Sequence, residues 1–231
     1  MSNKLIFLDT EATGNEPKKD HLCQVCYKIG DEVKIGYFKP PVPISVKAMS
    51  ITHITNKMLE DKEPFADSQF KKDLQKELND AILVAHHALF DLAMLKHEGV
   101  EAPRFIDTLR VARYLDPENK IPEYNLQFLR YFLNLEVDAT AHDAAGDVAV
   151  LEAVFQRLFT KLPDLEKMIE ISSQPSLFKY MIFGKYKGKP LAEIAETDRR
   201  YLEWLLNQKL TTDEDADEDW IFTLKHYLEK A

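Results

Sequence analysis

The chain predicts an α/β fold: a mixed β-sheet flanked by helices, followed by a small, mostly helical module. Three observations carry this reading. Apolar, alternating segments open the chain before any helical periodicity begins. A single short apolar strand, AILVA, then stands between two helical stretches, an order that builds a mixed sheet. After residue 160 the character of the sequence changes.

The elements follow in order. Residues 5–11, LIFLDTE, form a first strand, and HLCQVCYKIGDEVKIGYFKPPVP (21–43) gives two more with a turn at Gly30-Asp31. Residues 67–80 place Phe70, Leu74 and Leu78 on one helical face, with Asp67 or Ser68 as cap. Residues 81–85 are a buried strand, and a helix from Ala88 to Glu98 ends at Gly99. Helices are expected over 104–115 and 124–133, the second with Leu126, Leu129 and Phe132 spaced for a core face. The clearest helix covers 143–160, where Val148, Leu151, Phe155 and Leu158 make one apolar stripe.

This divides the chain into a domain over 1–160, a linker over 161–175 that begins as a connecting helix, and a module over 176–231. Ser172, Ser173, Gln174 and Pro175 form the softest part of the linker. The module contains FGKYKGK (183–189), a helix around 190–206, the acidic loop DEDADED (213–219), which reads as a solvated segment, and a last helix from Trp220.

With 231 residues, 45% of them hydrophobic, the chain can bury one sizeable core and a small appendage. A net charge of −9 argues against a generic nucleic-acid coat protein. That charge is segregated, since residues 213–219 hold six acids while residues 176–209 hold seven Lys/Arg against four Asp/Glu. No run of 18 apolar residues appears, so no membrane partner is expected. The N-terminus lacks a signal-peptide cleavage pattern, and two cysteines do not make a disulfide scaffold. A reducing, cytoplasmic setting is expected.

The acids carry the chemistry. Asp9 and Glu11 end an apolar strand two positions apart, so both face one side of a sheet and repel each other unless a cation lies between them. Asp91 enters a helix just after a buried strand, in AHHALFD, and Asp147 opens the longest helix, in AHDAAGD. Singly, each acid has an ordinary structural explanation as a turn former, a helix-start residue or a solvated charge. Together, acids from separate elements suit a hard divalent cation such as Mg²⁺ or Mn²⁺. His142 stands five residues before Asp147, about 140° around a regular helix, so it belongs in the loop before that helix if it works with Asp147. Spacing alone does not choose His142 over Asp143.

Other chemistry finds little support. No Gly-x-Ser-x-Gly elbow or phosphate-binding Gly-rich loop is present. Cys23 and Cys26, with His21 as a third candidate, fall short of the four ligands of a structural zinc site. FGKYKGK admits two readings: lysines and aromatics that grip a nucleic acid, or a glycine turn with a solvated basic rim.

Asp9-Thr10-Glu11, then Ala85-His86-His87-Ala88-Leu89-Phe90-Asp91, then His142 with Asp147, resemble the three motifs of the DEDDh exonucleases. These are 3′–5′ exonucleases with an RNase H-like fold. The segment FGKYKGKPLAEIAETDRRYLEWLL resembles the extra module of exodeoxyribonuclease X-like proteins. Four positions depart from the family pattern: Ala12 for a second Thr, His87 for an Asn, Thr52-His53 with the histidine one place late, and Gln24 for a Glu.

The resemblance implies two Mg²⁺ ions, for which Mn²⁺ can substitute, about 4 Å apart. Asp9 would bridge both, Glu11 and Asp147 would hold the ion carrying the attacking water, and Asp91 would complete the site. His142 would be the general base. Thr10, Ala12, Thr13, His86 and Phe90 would surround the terminal nucleotide, although the Phe90 ring equally suits the core. The expected partner is nucleic acid with a 3′ end, DNA favoured over RNA. The alternatives are an RNA-trimming exoribonuclease of the RNase T type and a non-catalytic nucleic-acid-binding protein.

Overall fold

The computed structural model describes residues 4–137, 144–211 and 218–230. One five-stranded sheet has the first strand of the chain at its centre. Central β1 (Leu5–Ala12) pairs antiparallel with β2 (Leu22–Ile29) and parallel with β4 (Ile82–Ala85). Beyond them lie β3 (Glu32–Tyr37), antiparallel to β2, and β5 (Phe105–Asp107), parallel to β4. The β2–β3 turn passes through Gly30 at φ +55°, a conformation glycine adopts without strain.

Alternation along β1 sorts the two faces. Ile6, Leu8 and Ala12 join a cluster with Leu74 and Leu78 of α2 (Gln69–Leu78) and Met94 and Leu95 of α3 (Ala88–His97). Phe7 points the other way, toward α4 (Thr108–Leu115), α5 (Leu126–Phe132) and α6 (Ala144–Lys161). The α6 stripe of Val148, Leu151, Phe155 and Leu158 is buried as expected, and Phe155 meets Phe7 edge-on at 5.4 Å. Replacing such a residue with alanine costs about 3–5 kcal/mol. Asp9 and Glu11 share the Phe7 side of β1, and therefore face the start of α6.

The expected helix over 104–115 is instead β5 followed directly by α4. Asp107 does both jobs, closing the strand and accepting the Leu109 N–H at 2.9 Å as the α4 cap. A three-residue strand is too short to display a period of two. Phe132 is exposed and stacks on Phe128, leaving Leu129 as the fully buried residue of a two-turn helix.

The connecting helix expected within the 161–175 span is α7 (Leu165–Ser172), whose Met168 enters the α6-side core. Ser172 is fully buried. Its hydroxyl accepts the Asp107 N–H at 2.8 Å and donates to the Met168 carbonyl at 2.7 Å. A serine in an Ser-Ser-Gln-Pro run reads as loop, but here it satisfies a buried strand end.

The C-terminal segment packs α8 (Leu191–Thr197), α9 (Arg199–Thr211) and α10 (Glu218–Lys230) around Met181, Leu202, Trp220 and Leu224. The single helix expected around 190–206 is broken at Asp198, whose carboxylate accepts from the Tyr186 hydroxyl at 2.6 Å and Lys185 at 2.9 Å. The FGKYKGK aromatics belong to this core, with Phe183 4.9 Å from Trp220. Most of the DEDADED run lies outside the described residues. Its last two acids are not free in solvent: Glu218 and Asp219 both accept from Arg110, and Asp219 also from Arg113 at 2.8 Å.

Cys23 and Cys26 join different clusters, so they do not form a common metal site. Among the described residues, no helix is long and apolar enough to cross a membrane.

Candidate active site

The parallel strands set the position of the site. The β1–β4 ladder ends at Phe7–Val84, so Asp9 to Ala12 project past the carboxyl end of β4, where α3 begins. Crevices beyond the carboxyl ends of parallel strands are where α/β sheets place their ligands. α3 brings Asp91 there in its first turn, and α6 brings Asp147 in its own.

The structure brings together Asp9, Glu11, Asp91 and Asp147. Burial raises the Asp9 carboxyl well above its ordinary range, and the charges of Asp91, Glu11 and Asp147 raise it further. Glu11 is pushed to about 7 by burial and by Asp147. Asp91 also reaches about 7 through burial, even though a hydrogen bond from the Thr10 hydroxyl at 2.7 Å works in the opposite direction.

Asp147 Oδ1 accepts from the Gln127 side-chain amide at 2.7 Å. Among the described residues, no three Asp, Glu, His or Cys side chains stand together as a ready ligand cage. The two observations agree, because charges act over longer distances than the roughly 2–2.5 Å of coordination. A donor set of half-buried to buried carboxylate oxygens fits a hard divalent cation. His142, expected as the base, lies outside the described residues, as does Asp143.

The five residues expected around the nucleotide turn their side chains largely inward. Thr10 is spent on Asp91, Ala12 is buried, and the Thr13 hydroxyl donates to Asp20 at 2.7 Å. Phe90 packs against the α2/α3-side core. The His86 ring is lowered in pKa by burial and is therefore neutral. Its Nε2–H donates to the Tyr124 carbonyl at 2.7 Å, which leaves Nδ1 to accept from Thr108 at 2.9 Å. Thr10 and His86 thus serve as braces for the site.

Two of the four departures acquire a physical account. His87 sits at φ +63° before α3, in the left-handed region that asparagine favours. The bond that fixes this turn comes from the His87 backbone N–H to Asp107 at 2.9 Å, so it survives the exchange of side chain. Gln24 stands directly across from Glu11 on β2, placing a neutral amide beside a strained carboxyl.

Asp107 and Gln127 were not among the expected site residues. Asp107 had a visible signal: Phe-Ile-Asp-Thr at 105–108 repeats the pattern of Phe-Leu-Asp-Thr at 7–10, an acid ending an apolar run. A neutral glutamine such as Gln127 carries no such mark.

Comparison with known proteins completes the description. Residues 6–155 match the family described as Exonuclease, and residues 181–209 match Exodeoxyribonuclease X-like C-terminal. Exodeoxyribonuclease 10 of Escherichia coli (strain K12) is 34% identical over 196 residues, covering 84% of this chain and 83% of that protein. The solved structure of exonuclease X in complex with 5′ overhanging duplex DNA superposes with a TM-score of 0.61 at 26% identity, covering 73% of this chain and 99% of that one. A zinc-bound E. coli exonuclease I complex with single-stranded DNA has a TM-score of 0.61 at 21% identity and covers 72% and 42%, a likeness of fold. These neighbours are RNase H-like exonucleases, and exonucleases of this type are metal-dependent. The chain belongs to this exonuclease family and is a 3′–5′ exonuclease with an exodeoxyribonuclease X-like C-terminal region.

Proposed function

We propose that the chain removes nucleotides from the 3′ end of DNA and releases nucleoside 5′-monophosphates, using two Mg²⁺ ions. The observation that carries this reading is the gathering of four carboxylates from β1, α3 and α6, of which Asp9, Glu11 and Asp91 have pKa values pushed up by burial and by acidic neighbours. Asp9, Glu11, Asp91 and Asp147 would hold the ions. Bound divalent cations would supply an activated water and stabilise the charge developing on phosphate and leaving oxygen.

The chain's own groups do the rest. His142 takes the proton from the attacking water, a role suited by an ordinary histidine pKa of about 6.5. Thr10 and Gln127 orient the carboxylates of Asp91 and Asp147. His86 fixes the β4–α3 junction against Thr108 and the Tyr124 backbone. Backbone between Thr10 and Thr13, rather than the inward-turned side chains, receives the terminal nucleotide.

In this reading residues 1–160 are the exonuclease domain and residues 176–231 a separate module. Two buried cysteines that form no disulfide suit a reducing cytoplasm. The 34% identity to exodeoxyribonuclease 10 supports DNA as the substrate.

The test uses 5′-labelled single-stranded DNA with Mg²⁺, and matched RNA beside it. A ladder shortening from the 3′ end on DNA, absent with EDTA and in Asp9→Asn, is the expected result. Faster shortening of RNA would overturn the choice of substrate, because the motifs do not read the 2′-hydroxyl.

A further inference from the structure

The FGKYKGK motif is only partly absorbed by the core of the C-terminal module. Lys185 pairs with Asp198 at 2.9 Å and Lys189 with Glu193 at 3.4 Å. Lys187 is exposed and makes no ion pair among the described residues. It stands with Gly188, at φ +84°, on the wall of a cleft of about 860 Å³ between the exonuclease domain and the module.

Tyr180 and exposed Ile182 share that wall, and the opposite wall is the 118–126 segment with the Arg113 side of α4. One end of the cleft is His86-His87, the junction that leads into α3 four residues before Asp91. The cleft therefore reaches the junction that carries Asp91 into the candidate active site.

Its walls are held in place. Arg110, 3% exposed, donates to the Ser172 carbonyl at 2.8 Å and to Glu218 and Asp219 of α10. Arg113 adds a second bond to Asp219, and the Ser176 N–H donates to Asp219 at 2.9 Å. The module is thus a fixed wall rather than a tethered body.

We propose that this interdomain cleft binds the single-stranded portion of the nucleic-acid substrate behind its 3′ end, with Lys187 on a phosphate and Tyr180 and Ile182 against the bases. It rests on the exonuclease reading above and names how that site receives its polymer. The shared β4–α3 junction points to the occupant, since a strand whose end lies at Asp91 can leave past His87 along this cleft. Unpaired bases can lie on an aromatic and an apolar side chain, which paired bases in a duplex do not offer.

The charge of the cleft is finely balanced. Arg113 is matched by Asp219 and Glu118 by Lys120, which leaves Lys187 and Glu123 on facing rims. One phosphate contact per cleft, opposed by one acid, makes a distinctive prediction: the two residues should act in opposite directions.

Binding of a fluorescent single-stranded oligonucleotide is measured by anisotropy in EDTA over a salt series, alongside its shortening by the native protein in Mg²⁺. Lys187→Glu should weaken binding about tenfold, and Lys187→Gln should reduce the salt slope by about 0.7, the value for one phosphate on a single strand. Glu123→Gln should tighten binding about threefold. Thermal melts of each variant matching the native protein show that the fold is intact, as expected for exposed side chains.

If the Lys187 variants keep the native affinity and salt slope while the native protein still shortens the oligonucleotide, the cleft does not carry the strand. If the native protein leaves the oligonucleotide intact in Mg²⁺, the exonuclease reading fails and this proposal falls with it.

Discussion

Two places in this molecule bury charge, and they handle it in opposite ways. Between α4 and α10, each buried cation meets an acid: Arg110 finds Glu218 and Asp219, and Arg113 finds Asp219. At the end of β1, Asp9 is surrounded by Asp91, Glu11 and Asp147, and all of them act to raise its pKa. The first cluster is electrostatically closed within the fold and holds two parts of the chain together. The second is held at a cost in stability, which is a mark of a site completed by a cation from outside.

The sharpest way to break this contrast is Asp9→Asn, which removes a charge and keeps the shape. Loss of a carboxylate that would hold the cation should lower the turnover rate by about a thousandfold, roughly 4 kcal/mol of transition-state stabilisation. The metal-free variant should nevertheless melt at a higher temperature than the metal-free native chain, because one repulsive partner is gone. A structural acid would show the reverse pattern, with stability lost and activity retained.

The paired cluster predicts the mirror image. Arg110→Ala strips Glu218 of its partner, leaves Asp219 with Arg113 as its remaining cation, and takes the donor from the Ser172 carbonyl. A loss of about 3 kcal/mol is expected, the low end for breaking a buried pair because Glu218 is largely exposed. Denaturant unfolding should show it. Hydrolysis of short oligonucleotides should survive where the native fold is populated, whereas a parallel loss of turnover would mean the module supports the chemistry directly.

Much of this contrast was legible beforehand, and the part that was not has identifiable causes. Asp9 and Glu11 announced themselves because an acid in an apolar strand is costly, and period-two geometry put them on one face. The α6 stripe was equally plain over five turns. By contrast, β5 is three residues long and runs straight into α4, so its apolar residues were read into the helix. Ser172 looked like loop because its partner, the Asp107 N–H, lies 65 residues away in the sequence. Glu218 and Asp219 looked like solvated charge for the same reason: their arginines lie more than 100 positions earlier. Long-range satisfaction of polar groups leaves no local signature.

Gln127 belongs to that unreadable class, and it offers a smaller test. Its amide holds Asp147 at 2.7 Å from a different helix. Gln127→Ala should cost about tenfold in activity or metal affinity, as is usual for partners that orient a metal ligand. Rescue by Gln127→Asn is not expected, since the shorter side chain falls short of Asp147. An unchanged dependence of rate on Mg²⁺ concentration would reduce Gln127 to packing.

The gentlest probe of the carboxylate cluster is pH. Glu11 and Asp91 sit at about 7 in the folded chain, above the roughly 4 of an unfolded carboxyl. Between those values the folded state holds protons that the unfolded state has released, so stability falls as pH rises. The contribution is fully present below about pH 4 and is lost by about pH 7. Buried His86, lowered in pKa, works the other way by favouring folding as it loses its proton. The comparison that isolates the acids is therefore the native chain against Glu11→Gln, both in EDTA. From pH 5 to 7.5 the melting temperature of the native chain should drop further than that of the variant, each kcal/mol appearing as about 2–4 °C. Added Mg²⁺ should close the gap above pH 7, where Glu11 and Asp91 have released their protons, and do little at pH 5. Identical melting curves for the two chains at every pH would show that Glu11 bears no strain, and the opposition between the two charge clusters would collapse at that residue.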